Sequence, residues 1–233
     1  LTTTLTYNAA GQLTQLKQTD TTSQTVPYYT NGQIRTWDYT YGAGGTLLTV
    51  DGPLAGVGDK VTYTYNAQGY LATITNEVGH VTTVNTVNGR GQPTQVTDPN
   101  GAVTNYGYDD VGRLATITVE PGVTQAQWSM TYTGAGDVAT LSQPNGTSYT
   151  FTWDSARRLT AIQNSWSERI EYTYNTMSNV TDFSVRNSGG GIVRQSAQTF
   201  DELGRLIRQV GYGSRAWTFG YDKTDNLTRV TDP

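Results

Sequence analysis

The chain has 233 residues, no cysteine, a formal net charge of −4 and only 15% charged residues. Disulfides and thiolate metal sites are excluded, no Lys/Arg face points to nucleic acid, and no stretch approaches the roughly 20 apolar residues of a membrane-spanning helix. Thr, Gly, Tyr and Asn stand where charge is usual, a composition that suits strands and turns rather than disorder.

From the N-terminus onward one short pattern recurs. It is clearest at Tyr149-Thr150-Phe151-Thr152-Trp153, followed by the acidic turn Asp154-Ser155-Ala156-Arg157 and by Leu159 and Ile162. Alternation with period two places Tyr149, Phe151 and Trp153 on one face of a strand. The last residue before the turn serves as an anchor, position 0. The anchors are Tyr7, Tyr29, Tyr65, Val87, Tyr108, Tyr132, Trp153, Tyr174, Phe200 and Tyr221, at intervals of 21 to 36 residues. Position +4 is usually Gly, as in Gly69, Gly112 and Gly204, with Arg157, Ser178 and Asp225 as departures. Positions +6 and +9 are apolar in nearly every copy, with Pro93 and Gln209 as exceptions. A fixed period of this kind marks a repeat architecture.

The turn chemistry predicts hairpins. Asn66-Ala67-Gln68-Gly69, Asp109-Asp110-Val111-Gly112 and Asp201-Glu202-Leu203-Gly204 each open on a residue that bonds its own backbone and close on one that accepts positive φ. A second turn separates copies, as in Asp98-Pro99-Asn100-Gly101. Each copy is therefore strand, turn, strand, turn, and the fold class is all-β: tandem hairpins in one continuous curved antiparallel sheet. Leu159 and Ile162 lie three apart, so either a bulge after the turn brings them to one face, the preferred reading, or the sheet is apolar on both sides. A β-propeller of two copies per blade is the alternative.

In chain order, residues 1–37 hold two copies, the second imperfect. Residues 38–60 read as an insertion, preferably an extra hairpin, otherwise a loop lying across the sheet. Residues 61–183 hold six regular copies, 184–195 form a flexible connection around Ser188-Gly189-Gly190-Gly191, and 196–233 hold the last two. The pattern stays in phase throughout, so 1–233 is expected to be one repeat domain. It opens inside a copy and stops at Thr231-Asp232-Pro233, where a turn should begin, as expected of a fragment of a longer protein.

Tyr108-Asp109-Asp110-Val111-Gly112-Arg113-Leu114 closely resembles the Tyr-Asp-x-x-Gly-Arg-Leu core of the YD repeats, also called RHS repeats. Phe200 to Leu206 matches with one aromatic exchange, and Trp153 to Leu159 matches with Arg in place of Gly. The resemblance covers about residues 5 to 232. It implies sheet ribbons that spiral into a hollow shell, as in bacterial polymorphic toxins, insecticidal toxin complexes and teneurins. The bacterial members enclose a C-terminal toxic polypeptide. The chain-cutting segment of those proteins is not seen here, so self-cleavage is not carried over.

The candidate site residues follow from the repeat. The pairs Asp109/Arg113, Asp154/Arg158 and Asp201/Arg205 could form a ligand-binding row, but a hairpin clamp explains them by architecture alone. Asn66 and Gly69 define the same turn. Trp128, Trp153 and Trp217 could stack sugars if exposed, whereas sheet packing accounts for an aromatic column without a ligand. His80, the one histidine, sits in a turn. With no convergent reactive set, the chain is expected to be a non-catalytic scaffold without cofactor or metal. Its expected partner is a polypeptide of the same parent protein, or a second copy through open sheet edges; a glycan-binding adhesin is the alternative. The parent is expected to be secreted or at the cell surface, although no signal peptide opens this chain.

Overall fold

The computed structural model describes residues 1–23, 29–54, 56, 58–120, 125–211 and 213–233. The strands are β1 (Thr2–Tyr7), β2 (Leu13–Thr19), β3 (Ile34–Tyr41), β4 (Leu47–Asp51), β5 (Val61–Tyr65), β6 (Leu71–Thr75), β7 (Val81–Val87), β8 (Pro93–Thr97), β9 (Val103–Tyr108) and β10 (Leu114–Glu120). They continue as β11 (Ala126–Tyr132), β12 (Val138–Ser142), β13 (Ser148–Trp153), β14 (Leu159–Asn164), β15 (Arg169–Tyr174), β16 (Val180–Arg186), β17 (Ile192–Phe200), β18 (Leu206–Gly211), β19 (Ala216–Tyr221) and β20 (Leu227–Thr231). These 20 strands form one antiparallel sheet, and no helix occurs among the described residues. Two compact units are distinguished: Leu1–Arg113 with Thr118–Gln125, and Leu114–Ile117 with Ala126–Pro233.

Within each unit, strands consecutive in sequence are neighbours in the sheet. In the first unit β2 pairs with β3, β4 with β5, β6 with β7 and β8 with β9, so successive hairpins stay bonded to one another. The second unit does the same from β12–β13 to β18–β19. Separate blades would interrupt those ladders, and the propeller alternative fails on that ground.

The expected turn geometry is present. The N–H of Gly69 donates to the carbonyl of Asn66 at 2.9 Å, and Asn66 N–H donates to the Tyr70 carbonyl at 2.8 Å. Asn66 Oδ1 accepts from the N–H groups of Gln68 and Tyr70 at 3.0 and 2.9 Å. Gly69 has φ +83°, a region that glycine enters without a Cβ penalty. The second turn at Asp98–Gly101 uses the same bonds, with Asp98 Oδ1 accepting from Asn100 and Ala102. At Asn66 and Asp98, one turn of each kind, a single Asx side chain caps two backbone donors.

The bulge is also present. Trp153 faces Leu159, yet Thr152 faces Ala161, so Thr160 is the extra residue. That single insertion returns Leu159 and Ile162 to the face of Trp153 and Phe151. The same shift follows the anchor at Tyr7, Tyr41, Tyr65, Tyr132, Tyr174, Phe200 and Tyr221. Gln209, polar at a position that is otherwise apolar, lies opposite Gln198 and donates to Ser196 Oγ at 3.2 Å.

One face of the sheet is thus aromatic and aliphatic; the other carries Thr pairs. Thr40–Thr49, Thr64–Thr73 and Thr131–Thr140 each meet through their hydroxyls at 2.6 Å. On the same polar face a chain of amides runs from Asn85 to Gln95, Asn105 and Glu120. Among the described residues only Ala161 and Thr147 are buried. Among the described residues no second layer covers the apolar face within either unit.

Three readings of the sequence change. Tyr29 is not an anchor: it lies outside the strands, 59% exposed, beside a turn in which Gly32 and Gln33 bond to Asp20. The anchor of the second copy is Tyr41, whose turn has Gly42 N–H donating to the Thr46 carbonyl and Gly45 N–H to the Gly42 carbonyl. The stretch 38–60 is therefore not an insertion between copies. It contains the hairpin turn of a regular copy, in line with the preferred reading as a hairpin, and residues 20–33 take up the extra length. Residues 184–195, expected as a flexible connection, are the ends of β16 and β17 joined by a tight turn in which Gly190 N–H donates to Asn187.

Candidate functional site

The three Asp/Arg pairs are built alike. Asp109 Oδ2 accepts from Arg113 Nε at 2.7 Å while its Oδ1 accepts from the backbone N–H groups of Val111 and Arg113. Asp154 does this with Ala156 and Arg158, and Asp201 with Leu203 and Arg205. In each, the backbone N–H of the Arg is the main reason the carboxyl is held below its ordinary range, with the guanidinium adding to it against some desolvation. One carboxylate thus shapes the turn through one oxygen and fixes the Arg through the other.

At Arg158 and Arg205 the fixed guanidinium then reaches the next copy. Arg158 Nη1 donates to the Asn175 carbonyl at 2.9 Å and to Ser178 Oγ at 3.3 Å, and its guanidinium lies 4.8 Å over the Tyr174 ring. Arg205 Nη1 donates to Asp225 Oδ1 at 2.7 Å and to the Asp222 carbonyl at 3.2 Å, 4.9 Å over the Tyr221 ring. Where position +5 is Gln, the amide makes the equivalent bond: Gln12 to the Gly45 carbonyl and Gln92 to the Gly112 carbonyl. Arg90 adds a bond to the Asp110 carbonyl. The Asp/Arg pairs are each a clamp within their turn, and Arg158 and Arg205 are also links to the next turn.

A second link joins copies through the anchors. Tyr41 hydroxyl donates to the Leu13 carbonyl, Tyr65 to Leu47, Tyr108 to Pro93, Tyr132 to Leu114, Tyr174 to Leu159 and Tyr221 to Leu206, all between 2.6 and 3.0 Å. Trp153 uses its indole Nε1–H on the Val138 carbonyl at 2.7 Å. Each acceptor belongs to position +6 of the copy before. Val87 and Phe200 have no polar tip to offer.

The remaining candidates do not converge. Trp128 lies in β11 and is half-buried; Trp217 lies in β19 and is 44% exposed. Trp153 has its one donor committed to Val138. Asn66 and Gly69 are turn residues, as described. His80 closes the turn at Asn76, its backbone N–H donating to Asn76 Oδ1. Among the described residues no three His, Cys, Asp or Glu side chains gather as a metal site would require. Glu171 is a further charged centre, accepting from Arg186 Nε at 2.6 Å and lying 3.2 Å from Arg169 Nε. Its carboxyl is held low, first by the Arg186 hydrogen bond. Sequence reasoning missed both inter-copy links. The signal for one of them was present: the non-glycine residues at position +4.

Comparison with known proteins agrees with this geometry. The family model described as "RHS Repeat" matches residues 87–122, 132–165 and 200–233. No curated protein matches the chain. Among solved structures, the fold is similar to a TcdB2-TccC3-TEV crystal structure, with a TM-score of 0.54 and 14% identity over 99% of this chain. It is also similar to the Photorhabdus luminescens Tc holotoxin pore, with a TM-score of 0.50 and 12% identity over 99% of this chain. The chain spans about 15% of the length of each of those two chains. The hairpin unit, its period and the three matched stretches lead to one conclusion: residues 87–122, 132–165 and 200–233 are RHS repeats, and the same hairpin unit recurs along the rest of the described strands.

Proposed function

We propose that the chain is a non-catalytic structural scaffold, one repeat array within an RHS-type shell that encloses or displays a polypeptide of the same parent protein. The observation that carries this reading is the uncovered apolar face. Strand after strand presents aromatic and aliphatic side chains to one side, and among the described residues only Ala161 and Thr147 are buried. Exposed apolar surface on this scale marks a place where another chain lies. The similar structures are named as TcdB2-TccC3 and Tc holotoxin assemblies, which supports a toxin-associated role for the parent. On this reading the parent is secreted or at the cell surface, and the aromatic face looks toward the enclosed polypeptide.

A photo-crosslinking amino acid at Phe151, on the aromatic face, and at Thr150, on the polar face, tests this in the intact parent. Crosslinks from Phe151 to a distinct segment of the parent, with few from Thr150, are expected. Equal yields from both, or none from Phe151, would overturn the reading. Sugar stacking is tested separately by a glycan array with Trp217→Ala as control, and no binding is expected.

A further inference from the structure

We propose that the row of first turns is a matching device, in which the residue at position +5 of one copy selects the residue at position +4 of the next. The copies are then not interchangeable as neighbours. The inference concerns joints within each unit.

Position +4 is the left-handed residue of every first turn, where glycine is the residue with least to lose. Three copies nevertheless place a side chain there: Arg157 with φ 61°, Ser178 with φ 66° and Asp225 with φ 67°. All three belong to the second unit, and each meets the +5 residue of the copy before. Arg157 Nη2 donates to Asp137 Oδ1 at 2.8 Å, and its Nε lies 3.1 Å from both carboxylate oxygens. Ser178 Oγ accepts from Arg158, and Asp225 Oδ1 accepts from Arg205. The chemistry is complementary every time: an acid before a base, a base before a hydroxyl, a base before an acid.

At Gly91, Gly45 and Gly112 glycine stands where a side chain of the preceding turn occupies the space or bonds the backbone instead, whereas at Gly69 nothing lies within 4 Å and at Gly204 Asn179 is at ordinary contact distance. A Cβ at Gly91 would run into the ring of Tyr70. A Cβ at Gly45 would come within 3.3 Å of Gln12 Nε2, the group that bonds the Gly45 carbonyl. At Gly112 it would meet the end of Arg90, while Gln92 takes the Gly112 carbonyl. At these six joints the residue at +4 therefore answers its neighbour, and not the turn alone. Tandem copies that share one backbone risk pairing with the wrong neighbour while folding. A row of mutually dependent side chains at one rim penalises such pairing.

The arrangement at Arg205/Asp225 supplies a template for the test. Asp137→Arg with Arg157→Asp would recreate it at another joint, in the full 233-residue chain. Hydrogen exchange of the peptides covering 132–158 is the readout, with circular dichroism to confirm folding. Each single substitution sets like charges against each other and is expected to speed exchange several-fold; the exchanged pair is expected to return to within about twofold of the parent. A double variant no slower than the faster single variant overturns the proposal. A milder pair covers the case in which a charge reversal prevents folding. Arg157→Gly is expected to speed exchange when Asp137 is present, and to leave it unchanged or slower alongside Asp137→Gln. The same effect of Arg157→Gly in both backgrounds would equally overturn it.

Discussion

The hydroxyl of Tyr174 donates to the carbonyl of Leu159 at 2.6 Å, tying the anchor of one copy to the residue just past the turn of the copy before. The aromatic of the motif thus has two jobs. Its ring covers the sheet, and its tip satisfies a backbone acceptor that the bulge leaves beside the turn. Trp153 can replace Tyr here because indole offers a donor in nearly the same place.

Phe200 is the copy in which that donor is missing. Phe200→Tyr is expected to gain a bond to the Val180 carbonyl and to stabilise the chain by about 0.5–1 kcal/mol. Tyr174→Phe should cost a similar amount. Urea denaturation reads both, and a Phe200→Tyr variant less stable than the parent would show that the acceptor is not within reach.

The two glycines Gly69 and Gly91 share a left-handed backbone but not their surroundings. Nothing lies within 4 Å of a Cβ at Gly69, whereas one at Gly91 would strike Tyr70. Gly69→Ala is expected to cost about 1 kcal/mol for backbone strain alone. Gly91→Ala should cost roughly 1–3 kcal/mol more, as overpacking does. Adding Tyr70→Ala should remove the difference between them, and equal midpoints for the two single variants would contradict the contact.

Acid should weaken the turns. Asp109, Asp154 and Asp201 are held below the ordinary aspartate value of 3.8, and Asp222 is lowered to about 2, chiefly by the Asn226 amide. A depressed carboxyl in the folded state contributes stability above the unfolded value, and that contribution is lost as pH falls through the folded one. Asp201→Asn keeps the backbone cap, as Asn66 shows, but removes the titration. The stability gap between parent and Asp201→Asn should therefore shrink between about pH 5 and pH 2. A gap constant across that range would mean the Arg205 pair adds nothing to folding.

The cap itself can be weighed at Asn66, which carries no charge. Asn66→Ala removes an acceptor for two backbone donors, and the expected loss is about 1–2 kcal/mol. Asn66→Asp should restore most of it, because Asp performs the same task at Asp109. A loss with Asp as large as with Ala would point to a different role for the amide.

Much of this fold could be read before any coordinates. Period-two alternation showed which side chains share a face, and the three-residue gap between Leu159 and Ile162 implied the bulge. The second copy was misplaced for a local reason. Tyr41 is followed by Gly42-Ala43-Gly44-Gly45, with no Asn or Asp to announce a turn, whereas Tyr29 precedes an Asn-Gly pair that mimics one. The links between copies were hidden for a different reason. Periodicity gives the face a residue occupies, but not which carbonyl its tip reaches in the neighbouring strand. Arg157, Ser178 and Asp225 looked like lapses in a glycine column; in space each answers a side chain about 20 residues earlier.

The single-layer sheet has a calorimetric consequence. Among the described residues only Ala161 and Thr147 are fully buried and most strand residues are half-buried, so unfolding uncovers less new hydrocarbon than in a two-layered domain and the heat-capacity increment per residue should be lower. With each copy held by its immediate neighbours, melting is expected to spread inward from both ends as a broad transition, and the middle hairpins should be the last to yield.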